Sequence, residues 1–208
     1  MVGTLNFSGK QDVLKFISDN HIRILNLCHI PEDGRLKTLS FSVANRDRVH
    51  EILDFGERVD GSSLFSFIEP GKSDIYVMPT AETAFVNPFS VLPTLNILCD
   101  YLDENGKPLD ISPKNVLARA EEKLQSSTRV TMKALAELEF YIISQGQVEM
   151  LFQEQSDKNY HESAPFARFE EIRNEVLAML DNIGIATKYG HSEVGQLWSK
   201  GNVLMEQH

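Results

Sequence analysis

The chain has 208 residues, of which 42% are hydrophobic and 24% are charged, a composition typical of a globular protein with one large or two small domains. A formal net charge of −10 argues against nucleic acid or an anionic membrane as the main partner, because both would repel the protein. With no apolar run near the roughly 18 residues of a membrane span and no recognisable signal peptide, we predict a cytoplasmic protein that does not enter membranes.

The amino-terminal part of the chain alternates helical and strand-like patterns. Apolar residues at helical spacing predict a helix over 11–20, and a shorter helix is predicted over 46–54. Between them, two β-like runs cover 21–30 and 35–43, and the turn-forming sequence Pro-Glu-Asp-Gly at 31–34 joins them. This arrangement predicts a β-hairpin flanked by two helices.

A long connection rich in Gly, Ser and Pro occupies residues 55–93. Connections of this length often carry functional residues. Short strands are predicted within it at 74–78 and 83–86, and a further strand follows at 94–101.

The main domain boundary is predicted near Asp103, where a polar turn closes the preceding strand, so the domains are residues 1–102 and residues 103–208. Ser112 and Pro113 form an N-cap and first-turn pair, which predicts the start of a helix. The stripe that this helix is expected to bury consists of Val116, Leu117, Ala120 and Leu124.

The second domain continues with a strand over 136–143, a long helix over 165–182 that Gly184 ends, and a last strand over 185–193. The apolar residues of the long helix repeat at steps of three and four and are Phe169, Ile172, Val176, Met179 and Ile183. The order of the elements predicts an α+β fold with mixed sheets.

Two pairs of polar side chains stand out in the second domain. Within a strand over 136–143, Glu137 and Glu139 share one face, because successive side chains alternate. The same alternation places His191 and Glu193 together on the last strand. If both strands lie in one sheet with these faces aligned, three carboxylates and an imidazole converge, and carboxylate oxygens suit Mg²⁺. A solvated sheet face is the alternative interpretation.

The segment VDGSSLFSF at residues 59–67 is the second unusual feature. Asp60 and Gly61 form a turn dipeptide, and Ser62 and Ser63 add hydroxyls next to the carboxylate. One interpretation is a turn capped by Asp60. The other is a carboxylate that attracts a cation or removes a proton.

The two cysteines, the tryptophan and the histidines other than His191 show no pattern of a metal, redox or catalytic site. Cys28 and Cys99 stand apart in apolar segments, so free thiols in a reducing compartment are predicted. The histidines interpreted as surface or strand residues are His21, His29, His50 and His161. Trp198 is interpreted as a loop anchor or an interface residue.

Several segments, taken in order, resemble the glutamine synthetase family of bacterial type: VDGSS, KSDIYVMPT, TLNILCDYLDENGKPLDISPKNVLARAEEKL, ELEFYII and YGHSEV. The resemblance extends from about Val13 to Glu193. It implies a β-grasp amino-terminal domain followed by part of an α/β catalytic domain with a mostly antiparallel sheet. The implied reaction is the ATP-dependent ligation of glutamate and ammonia to glutamine through a γ-glutamyl phosphate.

The resemblance implies metal ligands, with Mg²⁺ or Mn²⁺ as the ion and ATP as co-substrate. Glu139 and Glu193 would hold one ion, and Glu137 would hold the other, closer to the nucleotide phosphates. His191 would be an accessory residue. These ions would neutralise phosphate charge and orient the transfer.

The resemblance also implies a role for the loop that carries Asp60 and Ser63, because both match the family's DGSS motif. These two residues would bind ammonium and deprotonate it. In the family this loop reaches the active site of the neighbouring subunit, so the complete enzyme is expected to be a homo-oligomer.

The chain departs from the family pattern at several places. Leu135 and Ala136 stand where the family has Gly-Pro, and Lys188 stands near the nucleotide at a position that is often acidic. The ending MEQH resembles a sequence cut directly before the next metal glutamate. The arginines that hold phosphate, the loop that closes over glutamate and further metal ligands lie outside the motifs found here. The resemblance therefore implies part of a longer enzyme, inactive by itself.

Two alternatives stay open. The first is a γ-glutamyl ligase of the same superfamily that uses an amine other than ammonia. The second is a naturally short, non-catalytic homologue with a binding or regulatory role. Asp60 and Ser63 favour ammonia, because an ammonium site needs a small anionic pocket.

Overall fold

The computed structural model describes residues 7–143, 159–166, 169–194, 198–199 and 202–207. The helices are α1 (Lys10–Asp19), α2 (Arg46–Phe55), α3 (Pro113–Thr128) and α4 (Glu170–Asn182). The strands are β1 (Ile24–His29), β2 (Lys37–Ser42), β3 (Glu57–Asp60), β4 (Asp74–Pro79), β5 (Phe85–Val86), β6 (Thr94–Leu102), β7 (Phe140–Ile143), β8 (Trp198–Ser199) and β9 (Asn202–Gln207). The chain forms two compact units that divide between Met132 and Lys133.

The first unit contains a mixed six-stranded sheet. The strand order is β2-β1-β6-β4-β3, and β5 pairs with β6 on the same edge as β4. β1 and β6 run parallel, with Leu25 opposite Leu95, whereas the other pairs of this sheet are antiparallel. The predicted α+β fold and the hairpin between β1 and β2 are confirmed.

The main core of the first unit lies where α1 and α2 pack against β1 and β6. Val13 of α1, Val49 of α2 and the strand residues Leu25 and Leu95 are all essentially excluded from solvent. The helical spacing of apolar residues in α1 therefore predicted its buried face correctly, because Ile17, one turn beyond Val13, is buried as well.

Both ends of α2 have clear causes. The Asn45 side chain accepts a hydrogen bond from the Arg48 backbone N–H at 3.1 Å and caps the first turn. Gly56 follows the helix with a φ of 71°, and a Cβ at this position would lie 2.6 Å from the Val77 carbonyl oxygen. A glycine is needed there because the backbone is left-handed and the neighbouring strand approaches closely.

The start of α3 confirms the predicted cap, but the predicted buried stripe is wrong. The Ser112 hydroxyl accepts from the Asn115 N–H, and Pro113 occupies the first turn. In the described part of the chain no residue of α3 is buried, and Val116 and Leu117 are 48% and 52% exposed. Helical spacing identifies the face that can pack, whereas burial requires another element to cover it.

Replacing Ser112 by Ala is expected to lower the free energy of unfolding of the first unit by about 1 kcal/mol, because the hydroxyl caps α3 and is itself buried. Urea unfolding followed by far-UV circular dichroism measures the change. Ser126→Ala in the same helix is the matched control, because its exposed hydroxyl bonds only to the Lys123 carbonyl. Equal losses in the two variants would show that the cap contributes nothing.

The second unit contains an antiparallel sheet in the order β7-β9-β8, as the predicted mostly antiparallel sheet requires. β7 begins at Phe140, four residues later than the predicted start at Ala136. The predicted strand over 185–193 is wrong, because residues 185–191 join no ladder. Alternation can predict a strand, but a strand forms only where a partner supplies the hydrogen bonds.

Helix α4 begins at Glu170, later than the predicted start at Pro165, and Gly184 follows it with a φ of 86° as predicted. Arg173 is buried, whereas Ile172 from the predicted apolar repeat is 40% exposed. None of the described helices is both long enough and apolar enough to cross a membrane.

Candidate active site

The Asp60 loop, defined as residues 60–65, leaves the end of β3 and makes a turn of 3₁₀ helix over Gly61–Ser63. The Asp60 carboxylate accepts hydrogen bonds from the Ser62 N–H at 3.0 Å, from the Ser62 hydroxyl at 2.7 Å and from the Ser63 hydroxyl at 2.8 Å. The structure thus brings the predicted pair Asp60 and Ser63 into direct contact. Ser62, whose hydroxyl the sequence interpretation also placed next to the carboxylate, donates to Asp60 as well.

These donors hold Asp60 as an anion. The Ser62 hydroxyl, followed by those of Ser63 and Ser73, lowers the pKa of Asp60 from its ordinary value of 3.8 to about 2. The carboxylate is exposed to solvent, so it is an accessible fixed negative charge at neutral pH. An anion with oriented hydroxyls around it suits a small cation.

Close packing fixes the base of the loop. Gly61 is buried, and its N–H donates to the Ser73 carbonyl at 2.6 Å. A Cβ at Gly61 would lie 2.9 Å from that same carbonyl oxygen and 2.9 Å from the Ile68 side chain. The glycine is required by this close approach of two backbone segments, so the turn has little freedom to shift.

An aromatic anchor holds the other end of the loop. Phe65 is 1% exposed, and its N–H donates to the Gly61 carbonyl at 2.8 Å. Its ring meets Tyr101 edge to face, with centroids 5.0 Å apart. The Tyr101 hydroxyl is in turn 2.5 Å from Nδ1 of His29. His29 is therefore a buried core residue, and its interpretation as a strand residue is confirmed.

The anchor is electrically neutral at neutral pH. Burial lowers the pKa of His29 and raises the pKa of Tyr101, so each side chain keeps its uncharged form. The hydrogen bond between the two side chains satisfies both polar groups inside the core. The Asp60 loop is thus supported by a packed and uncharged layer.

Glu137 and Glu139 lie in the second unit, in the segment directly before β7. Both side chains are exposed, and neither belongs to the strand ladder that begins at Phe140. Leu138, which alternation places on a core face, is 66% exposed. The shared-face argument for the two glutamates therefore does not apply, because a pleat exists only where the chain pairs as a strand.

His191 and Glu193 do lie together, although their segment is not a strand. Nδ1 of His191 is 3.5 Å from Oε1 of Glu193, and the side chains are only 11% and 17% exposed. The other carboxylate oxygen of Glu193 accepts the Val194 N–H at 3.0 Å. A partly buried carboxylate next to an imidazole is a donor pair suited to a cation.

Ser192 fastens this pair to a preceding turn in the second unit. Its buried hydroxyl lies 2.8 Å from the Asn159 carbonyl and 3.0 Å from the Glu162 carbonyl. Its own carbonyl accepts the His161 N–H at 3.0 Å. The sequence interpretation missed this turn, because contacts between segments so far apart along the chain leave no local pattern.

Three rings pack on His191, and they belong to Tyr160, His161 and Tyr189. The ring centroids of His161 and His191 are 4.3 Å apart, and Tyr160 stacks on His161 at 4.1 Å. Tyr189 lies 5.6 Å from His191 on another side, with the Lys188 ammonium 4.8 Å from the Tyr189 ring centroid. His161 is exposed, as its interpretation as a surface residue requires, and its ring packs on the imidazole that was chosen as an accessory site residue.

Within the described ranges, no group of three or more His, Cys, Asp or Glu residues is close enough to hold a metal ion. The role of Glu137, Glu139 and Glu193 as metal ligands stays a prediction. Cys28 and Cys99 are free thiols, as predicted.

Comparison with family sequence models gives two matches. Residues 21–104 match the model described as "Glutamine synthetase, beta-Grasp domain", and residues 110–198 match the model described as "Glutamine synthetase, catalytic domain". The predicted boundary near Asp103 stays a prediction.

Curated relatives include proteins with the same family name and a protein that is named for a different activity. The chain is 28% identical over 187 residues to "Glutamine synthetase" of Thermotoga maritima, covering 88% of the chain and 42% of that protein. It is 26% identical over 212 residues to "3-hydroxylaminophenol mutase" of Cupriavidus pinatubonensis, covering 88% of the chain and 45% of that protein. The chain thus spans less than half the length of these relatives.

Solved structures show the same fold. The structure titled "CryoEM Plasmodium falciparum glutamine synthetase" superposes with a TM-score of 0.71 at 17% identity, covering 99% of this chain and 45% of that chain. The structure titled "GmaS/ADP complex-Conformation 1" superposes with a TM-score of 0.67 at 12% identity, covering 96% and 44%.

Proposed function

The chain belongs to the glutamine synthetase family, and from that premise we propose that it supplies the amino-terminal part of an ATP-dependent ligase joining glutamate and ammonia. The observation that carries the proposal is the Asp60 carboxylate, which two serine side chains hold as an accessible anion. Ligation through a γ-glutamyl phosphate needs ammonia delivered next to the acyl phosphate. A fixed carboxylate is a suitable group to collect ammonium there.

The hydrogen bonds around Asp60 favour binding over proton removal. A carboxylate with a pKa near 2 is a weak base, so it stabilises a nearby cation better than it accepts a proton. Ser63 would hold the carboxylate in position through its hydroxyl. In this proposal Asp60 lowers the free energy of bound ammonium, which loses one proton to solvent water before it reacts. The neutral ammonia then attacks the carbonyl carbon of the γ-glutamyl phosphate. The C–N bond forms, the C–O bond to phosphate breaks, and the nitrogen gives up a further proton to solvent.

We further propose that Glu137, Glu139 and Glu193 contribute to divalent metal sites that require additional ligands. Glu193 fits this role best, because its carboxylate is partly buried and already oriented by the Val194 N–H. Bound Mg²⁺ or Mn²⁺ would neutralise the charge of ATP phosphates. His191, which contacts the rings of His161 and Tyr189, would keep the Glu193 side chain in its orientation.

A homo-oligomer follows from the same proposal. The Asp60 carboxylate is exposed, and its loop ends two residues before Phe67, a large apolar side chain that is 79% exposed. An exposed aromatic next to a fixed anion suits a surface that a second copy covers. The loop would then complete the active site of the neighbouring subunit.

The 208-residue chain alone is expected to form no glutamine from ATP, glutamate, ammonium and Mg²⁺, because it spans less than half the length of the relatives that it matches. Joining the chain to the remaining catalytic residues of the Thermotoga maritima relative is expected to produce glutamine, measured by chromatography. Glutamine formed by the chain alone would contradict the proposal that it is incomplete.

The same experiment separates the alternatives. Methylamine in place of ammonium tests the ligase that uses another amine, and a product made only from methylamine would favour it. A completed protein that is folded and binds ATP, yet forms no product with either amine, would favour the non-catalytic homologue. Size-exclusion chromatography of both proteins reports the oligomer.

A further inference from the structure

A pocket of about 360 Å³ lies in the first compact unit, between α1, α2 and the beginning of β1. It is remote in sequence from the Asp60 loop and from the glutamates proposed as metal ligands. Its apolar lining consists of Leu14, Ile17, Ile22, Val43 and Val49. Ile17, Ile22 and Val49 are buried in the core, so the floor of the pocket is rigid and apolar.

The polar lining of this pocket is basic. Two arginines, Arg23 and Arg46, line it together with His21 and His50, whereas none of the acidic residues that the structure describes lines it. This contrasts with the formal net charge of −10 of the chain. A basic pocket in an acidic protein concentrates positive potential where small anions can enter.

Neither arginine is committed to another role in the fold. Among the described residues, the side chains of Arg23 and Arg46 make no ion pair and no hydrogen bond. Other arginines of the same unit are engaged, since Arg48 pairs with Glu51 and Arg58 pairs with Asp74. Arg23 and Arg46 therefore keep their donors available to a ligand.

The backbone places the basic groups around the pocket. His21 adopts a left-handed conformation with a φ of 52° directly after α1. The next residue, Ile22, is buried and donates its N–H to the Ile17 carbonyl at 3.1 Å, which closes the chain onto the end of α1. Arg23 follows this reversal and lines the same pocket as Arg46, the first residue of α2. The opening is thus formed by the ends of three elements that pack into one core.

We propose that this pocket binds a small amphiphilic anion, a carboxylate or phosphate carried on an aromatic or branched aliphatic body. The apolar floor would cover the body of the ligand, and the two guanidinium groups would bind its oxyanion. Guanidinium groups suit both oxyanions, because their donors match pairs of carboxylate or phosphate oxygens. The volume lies at the lower end of the range for small-molecule sites, which limits the ligand to a compact molecule.

Phenyl phosphate is the probe, titrated into the 208-residue chain by isothermal titration calorimetry. Benzyl alcohol lacks the charge, and inorganic phosphate lacks the apolar body. We expect phenyl phosphate to bind at least about tenfold more tightly than either, because both halves of the pocket contribute. Equal affinity for inorganic phosphate would overturn the apolar part of the proposal. Phenylacetate in a further titration distinguishes a carboxylate from a phosphate preference.

Arg23→Ala and Arg46→Ala are each expected to weaken phenyl phosphate binding about tenfold, through the loss of a charged hydrogen bond. Arg35→Ala is the matched control, because Arg35 is exposed in the β1–β2 turn and lies outside the pocket. Circular dichroism verifies that each variant is folded. If the double variant Arg23→Ala with Arg46→Ala binds phenyl phosphate and phenylacetate as tightly as the unchanged chain does, the proposal is overturned.

Discussion

Replacing Asp60 by Asn is expected to lower kcat/KM for ammonium about 10²–10³-fold in the completed ligase, the range found when one preorganised electrostatic group is removed from an active site. The substitution preserves the shape of the side chain but removes its charge. The Ser62 N–H and one serine hydroxyl can still donate to the remaining oxygen. The loss therefore reports the missing anion, and KM for glutamate should change much less.

The dependence of this loss on pH distinguishes a binding role from a base. The pKa of Asp60 is about 2, so the carboxylate stays ionised from about pH 5 to pH 9. We expect the ratio of wild-type to Asp60→Asn activity to be constant over this interval. A ratio that grows with a pKa near neutrality would show that Asp60 acts as a general base.

The pKa of Asp60 also determines how the stability of the Asp60 loop depends on pH. Because the folded value lies below the ordinary value of 3.8, the hydrogen bonds to the carboxylate stabilise the loop above pH 3.8. Their contribution is lost as pH falls through about 2. Near neutral pH, the loop therefore keeps its geometry.

Asp74→Asn is the matched control for the active-site substitution. Asp74 lies opposite Asp60 in the β3–β4 ladder, is exposed, and forms an ion pair with Arg58 at 2.8 Å. Removing that charge should leave kcat/KM within about twofold, because an exposed ion pair contributes little. Equal losses for Asp60→Asn and Asp74→Asn would show a general effect of charge instead of a site.

Replacing Phe65 by Ala is expected to lower the free energy of unfolding of the first unit by about 3–5 kcal/mol, the cost of a large cavity in a packed core. Phe65 is 1% exposed and contacts Tyr101 edge to face, so no neighbouring side chain can fill the space without moving that anchor. Urea unfolding followed by circular dichroism measures the change. The Asp60 loop should lose order as well, because Phe65 closes it.

Phe67→Ala provides the control two residues further along the chain. Phe67 is 79% exposed, so its removal should change the free energy of unfolding by no more than about 0.5 kcal/mol. Similar destabilisation by the two substitutions would contradict the role of Phe65 as the anchor. If Phe67→Ala instead alters the size of the oligomer, the exposed ring belongs to a subunit contact.

The amino-terminal elements were predictable because their causes are local. Asn45 caps α2 directly before its first residue, Gly34 closes the β1–β2 turn with a φ of 70°, and Ser112 with Pro113 starts α3. Each signal acts within a few residues of the element that it begins or ends. The short strand β3 escaped prediction, since the alternating charges in its sequence ERVD give little apolar signal.

The candidate site was only partly predictable. Asp60 and Ser63 were identified from a turn dipeptide and a neighbouring hydroxyl, and the structure places them in contact. The packing of His161 on His191 could not be inferred, because it depends on a turn fastened by Ser192. For Glu137 and Glu139 the sequence pattern was clear but misleading. The two residues alternate as in a strand, yet they precede β7 and do not pair with β9.

The sequence by itself determined the helix and turn boundaries of the first unit, the α+β class and the choice of Asp60, Ser63, His191 and Glu193 as neighbouring polar residues. Tertiary structure alone decided which of the predicted apolar faces are buried and which alternating segments become strands. The physical reason is that propensity and capping act between residues near in sequence, whereas burial and strand pairing need a partner from elsewhere in the chain. The charge of Asp60 is held by serines that are its neighbours in the sequence. The neutral anchor that supports the loop forms only in the folded protein, where Phe65 packs on Tyr101 and Tyr101 hydrogen-bonds to His29.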